Sequence, residues 1–299
     1  MPSTGPLLQV VAGAVLISFA PVWVKLVPVG PTVSAFYRMA FGGLVLLGLA
    51  TLRRGSFRAA PPAVVLAVLA GGLFAVDLIC WHRSVLYVGP GLATILGNFQ
   101  VFVLAGYGML VLREPATWRL LVAIPLAVVG LALLVGVEWG ALPADDRLGV
   151  VFGLLTAASY GAYLLLLRRT QAIPGRLGSV PNLAVISVVA VLGLGVSAGL
   201  EGESLAIPDP GTGALLVTYG VTAQVAGWIL ISRGLPHIEA SRAGLVLLLQ
   251  PALAFVWDVL FFSRPTTPRH VVGALLALGA IYLGMMARRR PGEVPSVGA

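Results

Sequence analysis

The stretch QVFVLAGYGMLVLREP at residues 100–115 has a counterpart in QPALAFVWDVLFFSRP at residues 250–265. Both begin with glutamine, continue through apolar residues, and end with an arginine shortly before a proline, without a gap at a spacing of 150 residues. The same shift aligns Arg83 with Arg233 and Ala93 with Ala243. Apolar segments resemble one another by composition alone, but matched arginines, glutamines and prolines favour an internal repeat over that alternative.

The composition is that of an integral membrane protein. Hydrophobic residues make up 59% of the chain and charged residues 10%, whereas soluble proteins average roughly 45–50% apolar and 25% charged residues. A membrane-spanning helix needs about 20 apolar residues, because each residue rises about 1.5 Å and the hydrocarbon core is roughly 30 Å thick. Ten segments of this kind, numbered here as spans 1 to 10, are predicted at residues 7–27, 32–52, 62–81, 91–112, 118–136, 148–167, 183–200, 212–232, 243–262 and 270–287.

Basic residues predict the orientation of the chain, since lysine and arginine are retained on the cytoplasmic side. With the N-terminus inside, the inner loops and the tail carry thirteen arginines and the outer loops four. Both termini are therefore expected on the cytoplasmic side. The protein is expected to be located in the inner membrane of the cell. The tail at residues 288–299 is rich in proline and glycine and is predicted to be disordered.

The repeat and the orientation together predict an all-α membrane protein built from two units, at residues 7–136 and 148–287. Each unit contains five spans, and an odd number forces the second unit to lie inverted relative to the first. Inverted repeats are typical of secondary transporters, in which one half tilts against the other and opens a shared midplane site to alternate sides.

The chain resembles the drug/metabolite transporter superfamily, in particular its ten-helix members with two EamA-type repeats. The resemblance is carried by SAFYRMAFGG at residues 34–43 and by LATILGNFQVFVLAGYGMLVLREP followed by WRLLVAIPLAVVGLALLV at residues 92–135. In that family a glutamate before the proline recurs in both halves; Glu114 fits, whereas Arg264 stands at the second position. Among its members, the chain looks most like the YddG-type exporters of aromatic amino acids. The resemblance implies a central cavity, with spans 5 and 10 peripheral, and efflux of small metabolites.

Polar residues within the spans are the candidates for substrate binding, because an ionised group at the bilayer centre costs about 2.5–3.5 kcal/mol on insertion scales. Asp77 and Trp81 share a helix face and suit an ammonium group and a ring, while Arg38 suits a carboxylate. The sequence leaves open that Asp77 only ties helices together and that Arg38 pairs with Asp77 or Asp258. The full set of candidates is Arg38, Asp77, Trp81, His82, Asn98, Gln100, Tyr160, Tyr163, Gln224, Trp228 and Gln250. An amide bond between helices is an equally good account of any single glutamine.

These features predict an exporter of small amphipathic metabolites, with aromatic or large neutral amino acids as the first choice and cationic drugs or nucleotide-type metabolites as alternatives. No phosphate-binding loop of the GxxxxGK[ST] kind is present, so transport is expected to be secondary, either proton-coupled through Asp77 or passive. No catalytic, metal or cofactor motif surrounds the three histidines, which argues against an enzyme, a cofactor or a metal. A membrane scaffold is an alternative function with the same fold, but it does not account for the polar side chains that face the interior. The expected partners are a small molecule and the lipid bilayer and not nucleic acid, with monomer and homodimer both open.

Overall fold

The computed structural model describes residues 5–52, 57–135, 147–263 and 265–286. Its α-helices are α1 (Gly5–Ser18), α2 (Ala20–Leu26), α3 (Pro31–Leu52), α4 (Pro61–Asn98), α5 (Gln100–Leu110), α6 (Trp118–Val135), α7 (Arg147–Thr170), α8 (Ser179–Leu200), α9 (Pro210–Tyr219), α10 (Trp228–Gly234), α11 (Ala240–Leu247), α12 (Leu249–Phe262) and α13 (Pro268–Met285). A π-helix (Gly220–Gly227) joins α9 to α10, and a 3-10 turn (Leu235–His237) follows α10. The predicted disordered tail lies outside the described residues.

The described residues form helices and connecting turns without a strand, so the prediction of an all-α fold is confirmed. Within these described ranges, nine helical stretches are long and apolar enough to cross a membrane, and Trp118–Leu134 is a shorter apolar helix at the position of span 5. Large apolar side chains such as Leu52, Leu110 and Leu200, each 83% exposed, point away from the bundle. This exposed apolar surface is suited to contact with lipid.

Helix α4 contains both span 3 and the beginning of span 4, and the chain reverses direction within it. Gly153 packs against both Ser84 and Leu96, and a Cβ on Gly97 would lie 3.8 Å from Trp81 Cδ1. A straight helix would separate Trp81 from Gly97 by about 24 Å at about 1.5 Å per residue. The two predicted spans are therefore antiparallel neighbours although their helical assignment is continuous.

Spans 4 and 9 are each broken at one residue, and the two breaks lie within one residue of each other when the halves are aligned at the spacing of 150. Phe99 separates α4 from α5 with ψ −7°, and Leu248 separates α11 from α12 with ψ −11°. At the second break Pro251 lacks the N–H that would bond to Leu247, which explains why the helix stops there. The first break has no proline nearby, so proline does not account for the break in both halves.

The packing of the helices also follows the repeat. Span 2 (α3) packs on span 7 (α8), span 5 (α6) on span 10 (α13), and span 4 on span 9 through α5 and α11. Span 1 packs on span 8, and span 6 (α7) packs on span 3. These two contacts are equivalent, because span 6 is the counterpart of span 1 in the repeat and span 8 is the counterpart of span 3. Each of these pairs joins one half to the other, so the middle of the bundle is made by both halves. Spans 5 and 10 share a second apolar core with parts of spans 4 and 9.

Candidate functional site

Four rings from three helices meet in the middle of the bundle and are called here the aromatic cluster: Phe74 on α4, Tyr160 and Tyr163 on α7, and Trp228 on α10. Phe74 and Tyr163 stack with ring centroids 4.4 Å apart and planes inclined by 4°. Trp228 contacts both rings edge-on, at 5.4 Å from Phe74 and 5.0 Å from Tyr163. Tyr160 lies 6.4 Å from Trp228. Both halves of the chain thus contribute to one aromatic wall.

The aromatic cluster is buried, yet several of its polar atoms lack a partner. Tyr163 is 0% exposed and Trp228 is 1% exposed. Within the described residues, neither the Tyr163 hydroxyl nor the Trp228 Nε1 makes a hydrogen bond. A buried donor without a partner costs about 1–3 kcal/mol. Two such donors side by side indicate a place where a polar ligand group completes the hydrogen bonding.

Two charged residues flank the aromatic cluster. The Arg38 guanidinium lies 5.7 Å from the Phe74 ring and 5.4 Å from the Tyr219 ring, and its Nη1 donates to the Tyr219 hydroxyl at 3.4 Å. Its Nε has no hydrogen-bond partner in the described part of the chain. Asp77 lies on α4 one turn after Phe74 and is buried. Arg38 is therefore held by aromatic contacts and keeps donors available.

The charge of Arg38 acts on the Asp77 carboxylate, but the two side chains are not bonded to each other. Among the described residues, no hydrogen bond and no ion pair involves the Asp77 carboxylate. Buried charges are normally paired and hydrogen-bonded, because their desolvation costs several kcal/mol. A carboxylate and a guanidinium that both act on Tyr160 and Tyr163 without bonding to each other are complementary to a ligand that carries both charges.

Gln250 also reaches this region, since its side chain faces the Tyr160 hydroxyl from α12. Its Nε2 has no partner among the described residues. The structure thus brings together six of the residues selected from the sequence: Arg38, Asp77, Tyr160, Tyr163, Trp228 and Gln250.

Three other candidates are bonded to protein groups. Asn98 donates to the Thr94 carbonyl of its own helix at 2.7 Å. Gln100 donates to the Gly244 carbonyl at 3.3 Å and so ties span 4 to span 9 at their crossing. Gln224 donates to the Ser187 hydroxyl at 2.9 Å and ties span 8 to span 7. The side-chain carbonyl oxygens of these two glutamines have no partner within the described residues.

Trp81 and His82 lie closer to the end of span 3. Their rings are 5.2 Å apart, and no ring contact joins them to the aromatic cluster within the described residues. His82 is 8% exposed, and its Nδ1 has no partner in the described chain. Arg83, next to His82, pairs with Glu201 at 3.3 Å. These two candidates therefore occupy a separate place between the aromatic cluster and this end of the bundle.

Phe74 and Tyr219 were not selected from the sequence. Phe74 lies three residues before Asp77 and seven before Trp81 on the same helical face, so the spacing alone indicates it. Tyr219 lies nine residues before Trp228, which places the two on opposite faces of an α-helix with 3.6 residues per turn. The π-helix between them changes the register, so that Tyr219 and Trp228 both reach the surroundings of Arg38 and Phe74.

The two ends of the bundle are closed by different contacts. At one end Lys25 pairs with Asp258, and Trp257 Nε1 donates to the Ser18 hydroxyl at 2.8 Å. Lys25 on α2 and Asp258 on α12 thus join span 1 to span 9 at this end.

At the opposite end the Glu114 carboxylate accepts hydrogen bonds from the Ala240 N–H at 2.6 Å, the Ser241 N–H at 3.1 Å and the Ser241 hydroxyl at 2.7 Å. Arg168 lies 3.6 Å from the same carboxylate. Glu114 thus caps the beginning of α11 and joins the first half to the second.

A buried central site made by two halves, with contacts that close each end, is typical of membrane transporters. Residues 5–136 and 147–286 each match the EamA-like transporter family, and the chain belongs to this family. The two matches confirm the prediction of two five-helix repeats.

A relative named "Uncharacterized transporter" from Archaeoglobus fulgidus is 24% identical over 292 residues, which cover 92% of this chain and 94% of the relative. A solved structure described as "Crystal structure of protein" superposes with a TM-score of 0.78 at 15% identity, over 94% of this chain and 96% of the other. The protein is therefore a multi-pass membrane transporter, and a small-molecule substrate and membrane lipid are its implied partners.

Proposed function

We propose that the protein is a secondary exporter of small amphipathic metabolites, and that its substrates are amino acids with aromatic or large neutral side chains. The observation that carries the proposal is the aromatic cluster, with an unbonded carboxylate and a guanidinium beside it. Asp77 binds the substrate ammonium group and Arg38 binds the carboxylate. The rings of Tyr160, Tyr163 and Trp228 contact the side chain.

The chemistry of an amino acid matches the groups that lack partners. The Arg38 Nε, the Tyr163 hydroxyl and the Trp228 Nε1 are donors, which suits a carboxylate. A cation over an aromatic ring gains about 0.5–1 kcal/mol at exposed sites and about 2 kcal/mol when desolvated. A zwitterion brings both charges at once, so binding leaves neither Asp77 nor Arg38 uncompensated.

In alternating access, the two closed ends of the bundle open in turn. Opening one end requires breaking the Lys25–Asp258 contact, and opening the other requires separating Glu114 from Ser241. Both contacts join the first half to the second, so tilting one half against the other breaks one set while keeping the other. With the arginine distribution as guide, the Glu114 end faces the cytoplasm and the Lys25 end faces outward in the inner membrane, with both termini cytoplasmic.

Counterflow in proteoliposomes tests the proposal. Vesicles that hold the purified chain and unlabelled phenylalanine are expected to accumulate labelled phenylalanine, tryptophan and leucine, and to reject 3-phenylpropionate and tyramine, which each lack one charge. Asp77→Asn and Trp228→Ala are expected to abolish accumulation, whereas the matched control Trp118→Ala, at an exposed position, retains it. Accumulation of tyramine without amino acids replaces the proposal with a carrier of organic cations. No accumulation of any compound by correctly folded protein contradicts transport of this class.

A pH gradient separates the two modes of energy coupling. If Asp77 alternates between a proton and the substrate, an inward-directed proton gradient increases net export, and Asp77→Asn removes that increase. Equal net flux with and without the gradient assigns passive facilitation instead.

A further inference from the structure

A polar cavity of about 390 Å³ lies at the Glu114 end of the bundle, apart from the aromatic cluster. Its wall is made by the beginning of span 1, the connection between spans 6 and 7, and the end of span 8. The lining residues are Pro6, Gln9, Gln171, Arg176, Ser179, Ser232, Arg233, Pro236 and His237. A single water needs only about 10–15 Å³ on the same measure, so the cavity accommodates a hydrated polyatomic ion.

The buried part of the cavity wall presents hydrogen-bond donors. Gln171 is 5% exposed, and its Oε1 is occupied because it accepts from the Ser179 hydroxyl at 2.8 Å. That bond turns the Gln171 Nε2 away from Ser179, and within the described residues the Nε2 has no partner. Ser232 is 0% exposed, and its hydroxyl likewise has no partner among them. Two buried donors that have no acceptor thus line the cavity.

The exposed part of the wall is positively charged. The Arg176 Nη1 donates to the main-chain carbonyl of Gln171 at 2.9 Å, which fixes the side chain and leaves its other donors available. Arg233 on α10 also lines the cavity, and no carboxylate is among the lining residues. No ion pair in the described part of the chain includes either arginine. Guanidinium groups bind carboxylate and phosphate oxygens in a two-pronged geometry that lysine does not provide.

We propose that this cavity is a binding site for a phosphate group, supplied by inorganic phosphate or by the headgroup of an anionic lipid. Two guanidiniums, an amide and a hydroxyl offer more donors than the two oxygens of a carboxylate accept, whereas phosphate presents three or four oxygens. The cavity shares no residue with the aromatic cluster, so this proposal does not depend on the identity of the transported substrate.

Binding of inorganic phosphate to the full chain in an uncharged detergent tests the first source. Isothermal titration at constant ionic strength, with chloride as the reference anion, is expected to show saturable binding of phosphate. Arg233→Gln and the double variant Arg176→Gln/Arg233→Gln are expected to weaken it at least tenfold, and Ser232→Ala severalfold. The matched control Arg169→Gln removes an equal charge from an exposed position near the same end and is expected to leave binding unchanged.

Native mass spectrometry tests the lipid source. Retention of phosphatidylglycerol over phosphatidylcholine, lost in Arg233→Gln and kept in Arg169→Gln, assigns the site to a lipid headgroup. Size-exclusion profiles and unfolding temperatures without ligand check that each variant is folded, and Arg233→Gln is a surface change that keeps the test open if the double variant unfolds. If neither probe binds, or if Arg169→Gln weakens binding as much as Arg233→Gln, the proposal is overturned while the transport proposal stands.

Discussion

Arg113 and Ser263 lie 150 residues apart and share a left-handed backbone conformation, with φ of 54° and 49°. They are the non-glycine residues with positive φ in the described part of the chain, and each stands two residues before a proline. Ser263 ends α12, and Arg113 follows α5 in the equivalent turn. The backbone of this turn is therefore common to both halves, although the side chains differ.

Glycine at these turns is expected to stabilise the protein. A left-handed conformation costs an L-amino acid roughly 1–2 kcal/mol, which glycine avoids. Ser263→Gly should raise the free energy of unfolding by about 0.5–1 kcal/mol, measured by urea titration in mixed micelles. Arg169→Gly, in the last turn of α7, should lower it instead because glycine disfavours a helix. A Ser263→Gly variant no more stable than the parent contradicts the assigned conformation.

The Glu114 cap is expected to be the strongest polar contact between the two halves. Glu114→Ala removes the acceptor for two backbone N–H groups and one hydroxyl and leaves Arg168 without its carboxylate. We expect a loss of about 2–4 kcal/mol in unfolding free energy, since an uncompensated buried charge adds to the lost bonds. Ser241→Ala, which removes one of these bonds, should cost about 1 kcal/mol. Equal effects of the two variants would contradict the cap.

Tyr163→Phe is expected to stabilise the folded protein and to weaken substrate binding. The Tyr163 hydroxyl is buried without a partner, so its removal should raise the unfolding temperature by an amount equivalent to about 1 kcal/mol. The same change should raise the KM for phenylalanine in counterflow, because a donor to the substrate is lost. Tyr37→Phe is the control, since the Tyr37 hydroxyl donates to the Leu205 carbonyl and its removal should destabilise. Lower stability of Tyr163→Phe indicates a protein partner for the hydroxyl.

Glu203 should make the folded state less stable as the pH rises. Burial raises the pKa of the Glu203 carboxyl, and the neighbouring Glu201 raises it further. A folded-state pKa above the unfolded value of about 4.3 means that the folded state binds the proton more tightly, so stability falls as pH rises through this range. Glu203→Gln should therefore melt at a higher temperature than the parent at pH 7 and at the same temperature near pH 4. A constant difference across this range contradicts a titration effect.

Asp209 should show the opposite pH dependence. Its side chain accepts from the Thr212 hydroxyl at 2.6 Å and the Thr212 N–H at 3.0 Å at the beginning of α9, and these bonds lower its pKa. The stabilisation is complete above the unfolded pKa of about 3.9 and is lost as pH falls through the folded value. Asp209→Ala should lower the unfolding temperature at pH 7 and have a smaller effect below about pH 3. An effect that grows on acidification contradicts the cap.

The spans were predictable because hydrophobicity decides them, and the part of the chain that the structure describes has nine long apolar helices and one shorter one at the predicted positions. Arg38, Asp77 and the aromatic residues on α7 and α10 could be selected because charged and amphipathic side chains in a membrane require protein or water around them. Their contact with Phe74 and Tyr219 depends on the tertiary arrangement. The π-helix leaves no trace in a pattern that is read with 3.6 residues per turn.

The sequence also could not decide which polar residues bind protein and which are available. Gln100 and Gln250 occupy equivalent positions, yet Gln100 bonds to Gly244 across a helix crossing whereas Gln250 faces Tyr160. A one-dimensional pattern assigns both the same helical environment. The neighbouring helix determines the difference, and it comes from the other half for Gln100 and from the same half for Gln250.

The Glu114 cap distinguishes the two halves from each other. Arg264 occupies the corresponding position in the second half, so that half has no carboxylate with which to form the same cap. Two halves that match the same family model are thus not interchangeable. A tandem of two first halves would carry the acid on both faces of the membrane, whereas this chain carries it on one.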